Sequence, residues 1–177
     1  MEKRITQIQV YGMFSTETEL VTNYPVKEQL EQFLSQLEDV NDVIIAGYMV
    51  SESDEGEPQV KAMLILKDRN STTISLIPII PKHDPSKPAT IAIDLEGIYI
   101  EKTEAEEQFG DYVKCARKAI EDEDHTVLGY LVDYRTSFPQ IRLDAIIAVK
   151  LETVKSTIIR VVSVVPPSRE VEEACKL

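Results

Sequence analysis

STTISLIPIIP (71–81) and STIIRVVSVVP (156–166) read as one strand written twice. Both open on Ser-Thr, run through aliphatic residues and close on proline. Working outward, Pro58-Gln59-Val60-Lys61 answers Pro139-Gln140-Ile141-Arg142, and Gly47-Tyr48 answers Gly129-Tyr130. Gly12 in QVYGMF (9–14) answers Gly97 in DLEGIY (94–99). The offset is 85 residues at the first glycines, 82 at the Gly-Tyr pairs and 85 again at the last strands. Insertions and deletions therefore fall in turns, and one supersecondary unit must account for both halves.

That unit can be read element by element. Ile8, Val10, Gly12 and Phe14 alternate along one face, as do Ile91, Ile93, Leu95, Gly97 and Tyr99. A period of two means a half-buried strand, and the glycine inside it marks a bulge or a close approach. Leu30, Phe33, Leu34, Leu37 and Val40 then trace one face of a helix, with Pro25 suited to its first turn. Phe109, Tyr112, Val113, Ala116, Ala119 and Ile120 trace the second, and Thr103 with Glu106 predicts a capping box before it. Three apolar runs follow in each copy, 43–50, 59–67 and 72–80, then 125–133, 140–151 and 155–165, joined by short polar turns. Short connections imply antiparallel hairpins. The expectation is an α+β fold of two tandem β-α-β-β-β repeats with pseudo-twofold symmetry, antiparallel sheets and one amphipathic helix per repeat. The first repeat spans 1–81, a Pro-rich linker 82–88 and the second repeat 89–177, the two packing as one globular unit.

The last strands are apolar on both faces, at Leu76, Ile77, Ile79 and Ile80 and again at Ile158, Ile159, Val161, Val162, Val164 and Val165. A strand with one wet face would alternate, so both faces are expected to be covered. Pro78 marks an edge or a bulge in the first copy. Ser163 stands in its place in the second, so the Ile158–Val165 strand is the expected pairing edge for a homo-oligomer.

With 177 residues, 43% hydrophobic and 28% charged, the chain can bury roughly 70% of its unfolded surface without disulfides or metal. The net charge is −12, with 13 acids against 7 bases in residues 1–83 and 18 against 12 in 84–177. Neither half suits a polyanion. Cys115 and Cys175 occupy no equivalent positions and read as free thiols of a reducing compartment. No apolar run reaches 18 residues, and MEKRITQIQV enters a strand pattern directly. A soluble cytoplasmic protein, with neither membrane anchor nor cofactor, is expected.

Chemistry is sparse. His83 and His125 are the only histidines and do not correspond between copies. CxxC, HExxH, Gly-rich phosphate loops and EF-hands are missing from the sequence, which has 6 glycines. Glu52, Asp54, Glu55 and Glu57 fill one hairpin turn, and Glu121, Asp122, Glu123 and Asp124 follow the second helix. The latter group is a candidate weak cation site or a patch for a basic partner, against the plainer alternative of solvated surface. Tyr48 and Tyr130 are either paired ligand contacts or aromatics packed over a glycine such as Gly12 or Gly97. The turn YRTSFPQ (134–140) departs most from its counterpart, and Tyr134, Arg135 and Phe138 are the partner-contact candidates. Their alternative is a turn whose aromatics fold back onto the sheet.

At the level of topology, the paired strand–helix–three-strand units resemble a sliding-clamp domain. The resemblance implies basic helix faces around DNA, whereas the helices here carry Glu28, Glu31 and Glu38, or Glu106, Glu107 and Asp111. The tandem acidic repeat is also similar to TATA-binding proteins, without their phenylalanine wedges. A helix wrapped by a sheet is similar to the cystatin topology, but QVYG at 9–12 does not match its QxVxG hairpin. Topology carries no function by itself. The expectation is therefore a non-catalytic binding or scaffold protein acting through protein contacts. One alternative is a small-ligand binder or enzyme with its site between the repeats, using Asp94, Asp133 or Asp144. Another is a clamp-like nucleic-acid-associated protein, which the acidity disfavours.

Overall fold

The computed structural model describes residues 6–37, 42–82, 86, 92–135, 141–164, 173 and 176. Strands β1 (Thr6–Tyr11) and β2 (Met13–Ser15) lead into helices α1 (Glu17–Asn23) and α2 (Lys27–Leu37). Strands β3 (Val43–Glu52), β4 (Pro58–Lys67) and β5 (Ser71–Ile80) follow. The same order then recurs as β6 (Ala92–Glu96), β7 (Ile98–Ile100), α3 (Lys102–Phe109), α4 (Asp111–Ile120), β8 (His125–Asp133), β9 (Arg142–Leu151) and β10 (Ser156–Ser163). The protein is α+β, with two five-stranded sheets, and the registers of β2–β3–β4–β5 and of β7–β8–β9–β10 are antiparallel.

Strand order holds the main departure from the sequence expectation. The sheets run β1-β10-β9-β8-β7 and β2-β3-β4-β5-β6. Each first strand is thus cut at its glycine, and its two halves enter different sheets. Gly12 has φ +119° and Gly97 φ +116°, a region that side chains rarely adopt. A Cβ on Gly12 would stand 2.7 Å from the Val50 carbonyl oxygen. The compact units follow the sheets: Tyr11–Leu95 forms one, and Met1–Val10 with Glu96–Leu177 forms the other. These limits differ from the sequence repeats 1–81 and 89–177, because each unit takes its edge strand from beyond a glycine.

Strand β10 is therefore not a free edge, contrary to the expectation for Ile158–Val165, of which Val165 lies outside the described residues. It is flanked by β9 and by β1, as β5 is flanked by β4 and β6. Gln9 Nε2 donates to Ser156 Oγ at 3.3 Å across one of these added pairs, and Thr73 Oγ1 donates to Asp94 Oδ1 at 2.8 Å across the other. Pro78 does mark a bulge, where the β4–β5 register shifts between Val60 and Lys61. Both faces of the central strands are covered: β9 is buried at every residue from Leu143 to Val149.

The expected single helix per repeat is in each case two short ones. Pro25 forces the preceding Tyr24 into an extended conformation (φ −131°, ψ 126°), which ends α1 and starts α2 at Lys27. Leu20 and Leu30 sink into a core with Val60, Ala62, Leu64 and Ile79. In the other unit Gly110 (φ +67°) separates α3 from α4. Ala105, Val113 and Ala116 lie against Val127, Val132, Leu143, Ala145 and Ile147. The capping box sits in the first copy and not where Thr103 and Glu106 predict it. Thr16 Oγ1 accepts from the Glu19 N–H at 3.3 Å, and the Glu19 carboxylate accepts from the Thr16 N–H at 2.8 Å. Thr103 is already inside α3, which starts after Glu101 with no side-chain cap.

Both sheets carry a bulge before the Gly-Tyr pair, between Ile45 and Gly47 and between Val127 and Gly129. Phe14 lies over Gly47 and Tyr99 over Gly129, so closely that a Cβ on either glycine would collide with the ring. The glycines are required because aromatics from the neighbouring strands occupy their faces. This corrects the expected pairing, which had Tyr48 and Tyr130 resting on Gly12 or Gly97.

Candidate functional site

The partner-contact candidates extend from the end of β8. Tyr134 keeps 47% of its surface exposed, while its hydroxyl donates to Gln108 Oε1 on α3 at 3.1 Å. Arg135 curls back on Asp133: Nε donates at 2.8 and 3.0 Å, Nη2 at 2.5 Å, and its backbone N–H at 3.0 Å. The guanidinium holds the Asp133 carboxyl below the usual carboxylate range. Arg135 is 75% exposed, with Nε and Nη2 both turned to the Asp133 carboxylate. Phe138 lies outside the described residues.

Next to this tip is a charged row on one face of the sheet. Asp133 stands opposite Arg142 in the β8–β9 register. Arg142 Nε donates to Asp144 at 2.8 Å and its Nη1 to Glu96 at 3.2 Å. Asp144 is 4% exposed, and burial pushes its carboxyl pKa up despite Arg142 and a hydrogen bond from Ser163. Each of Asp94, Asp133 and Asp144, the acids suggested for catalysis, has a side-chain partner. Thr73, Arg135 and Arg142 respectively engage them.

The acidic run after α4 is a turn device. Asp122 Oδ1 accepts from the backbone N–H groups of Asp124 and His125 and meets the His125 ring Nδ1, each at 2.8 Å. The His125 contact leads the causes that lower the Asp122 pKa. Glu121 lies 3.6 Å from Arg117 and 3.8 Å from Lys102. Glu123 and Asp124 are exposed. The four acids do not converge on a cation: among the described residues, no group of three or more His, Cys, Asp or Glu could hold a metal ion. Cys115 is a free, half-buried thiol; Cys175 and His83 lie outside the described residues.

Tyr48 and Tyr130 are buried to 1% and 0% exposure. Their hydroxyls have no hydrogen-bond partner among the described residues. Burial pushes both to about 12. They face the helix side, within the cores already described.

One concavity has no counterpart among the sequence expectations. Between α2 and β5 lies a half-open groove of about 290 Å³, lined by Gln29, Gln32, Phe33, Gln36, Ile77, Pro78, Ile79 and Lys82. The three glutamines recur at i, i+3 and i+7 on one helix face. That uncharged polar stripe was the available signal, masked by the usual reading of such a face as solvated surface. Among the described residues lining the groove, Lys82 is the one that is charged.

The sequence matches no family model. It matches no curated protein and no solved structure.

Proposed function

We propose that this protein is a non-catalytic binding module acting through protein contacts, with the β8–β9 tip as a contact surface. The supporting observation is the tethered pair at that tip, a half-exposed Tyr134 beside an Arg135 hydrogen-bonded to Asp133. Tyr and Arg supply much of the energy of protein interfaces. Binding normally costs rotamer freedom, about 0.5–1.5 kcal/mol for each long side chain that is immobilised. Here Asp133 and Gln108 have removed part of that freedom beforehand. The test is photo-crosslinking from a reactive phenylalanine analogue at position 134 in cells. A partner is expected to crosslink, and to be lost when Arg135→Glu is added. Crosslinked products that are unchanged by Arg135→Glu would sink the proposal.

A second reading, small-ligand binding, rests on the α2–β5 groove. Its volume is near the lower end of ligand pockets, roughly 300 Å³. Its amides offer both donors and acceptors around Phe33. A fragment screen followed by methyl NMR shifts at Ile77 and Ile79 checks it. Hits that shift other methyls and leave these two still count against it.

A further inference from the structure

We infer that the outer edge of β10 is an acceptor site for a strand supplied by a second copy of this chain, the strand supplied being Thr6–Tyr11. The two conflicting demands on β10 lead to this. It is buried at Ser156, Thr157, Ile158, Ile159 and Val161, and bare apolar edges recruit other chains. The edge must therefore stay covered. Yet its cover is slight: β1 has six residues, of which Val10 alone is buried. On the other side, β9 matches β10 along all eight residues from Ser156 to Ser163.

The cover is also a loan. Residues 1–10 belong to the unit of β10, while the chain from Tyr11 onward belongs to the other unit. The passage runs through Gly12, whose φ of +119° is open to a residue without a side chain. Exchanging an identical element between protomers is a low-cost route to dimers, and β1 is joined to the following chain through one glycine. In such an exchange every β1–β10 contact is rebuilt between chains, including Gln9 on Ser156. The distinction between the two states then rests on Gly12 and on concentration. Charge also favours the arm: Lys3 and Arg4 precede β1 in a chain of net charge −12.

The experiment uses the full chain with Cys115→Ser and Cys175→Ser as background. One preparation carries Gln9→Cys, a second Ser156→Cys, and a control carries both. The doubly substituted control reports whether positions 9 and 156, whose side chains meet across the β1–β10 pair, come within disulfide reach. Equal amounts of the single variants, co-refolded at high concentration and oxidised, should give a disulfide-linked heterodimer of twice the 20.0 kDa chain mass, joined from position 9 of one chain to position 156 of the other. If the control closes its disulfide while the mixture stays monomeric, the exchange does not occur. A dimer linked 156 to 156 would equally overturn it, since that is edge-on-edge pairing without β1. Should a cysteine variant fail to fold, light scattering of the unsubstituted chain after refolding decides. A doubling of mass that rises with concentration is expected, and a constant 20.0 kDa refutes it.

Discussion

The helix after Ser15 is fastened at its own end, and the helix after Ile100 is fastened from its neighbours. In the first, Thr16 and Glu19 close a reciprocal cap within four residues. In the second, the matching position is Glu101, whose side chain caps nothing. Glu106 instead lies 2.6 Å from Arg117 Nη1, without hydrogen-bond alignment, and so joins α3 to α4 by charge. Tyr112 on α4 donates to the Val164 carbonyl beyond β10. Both helices bury a residue in a core, Leu20 and Ala105, but of the two the first alone has a side-chain cap at its start. A helix fastened only through tertiary contacts is stable only when its sheet is.

The largest expected effect tests what the regions share, the aromatic seated on a bulge glycine. Gly129→Ala should cost about 3 kcal/mol in urea unfolding, because the new Cβ meets the Tyr99 ring. Gly47→Ala should cost about as much, because its Cβ meets the Phe14 ring and its φ of +155° strains any side chain. A loss under about 1 kcal/mol at either glycine would mean that the ring does not rest on it in solution.

The cap comparison comes next. Thr16→Ala should cost about 1 kcal/mol, and Glu101→Ala close to nothing. A matching loss at Glu101 would erase the distinction between the two helices.

Smaller still is the effect of the twin tyrosines. Tyr48→Phe and Tyr130→Phe should leave thermal stability unchanged or raised by up to about 1 kcal/mol, since each hydroxyl is buried without a partner among the described residues. Tyr99→Phe is the contrast and should lower stability by about that amount. A clear loss at either twin would reveal a bound water serving its hydroxyl.

The smallest effect is on acid sensitivity. Asp133 has a lowered folded pKa, so its contribution is present above the unfolded value of about 3.9 and lost as pH falls through the folded one. Asp144, raised by burial, runs oppositely: its contribution is present below about 3.9 and lost as pH rises through its folded pKa. Arg135→Ala should therefore flatten the fall of Tm between about pH 5 and pH 3, and Asp144→Asn should steepen it by removing a carboxyl whose protonation favours the fold. An unchanged slope in Arg135→Ala would show that the tip pair does not persist in solution.

Strands were legible in the sequence because Val, Ile and Leu runs bounded by polar turns have few other solutions. Helix α1 was not, because seven residues with Leu20 as their single buried member leave no periodic trace. The Thr103-Glu106 spacing misled because a capping pattern says nothing about whether the helix has already begun. In the Gly-Tyr pairs the larger residue drew notice, yet the constraint acts on the glycine, through a ring contributed from about 30 residues away. Sheet membership could not be read at all: QVYGMF shows an unusual backbone at Gly12, but which sheet each half joins depends on strands far along the chain. At the tip, Tyr134 and Arg135 were legible by contrast between copies, and their tethering to Gln108 and Asp133 was not.

The split first strand also sets a timetable. On a ribosome, β1 emerges well before its neighbour β10. Gln9 waits for Ser156, 147 residues later. At typical synthesis rates that interval is roughly 7–30 seconds. Throughout it β1 has no native edge to join, and the sheet it completes cannot close until β10 has been made.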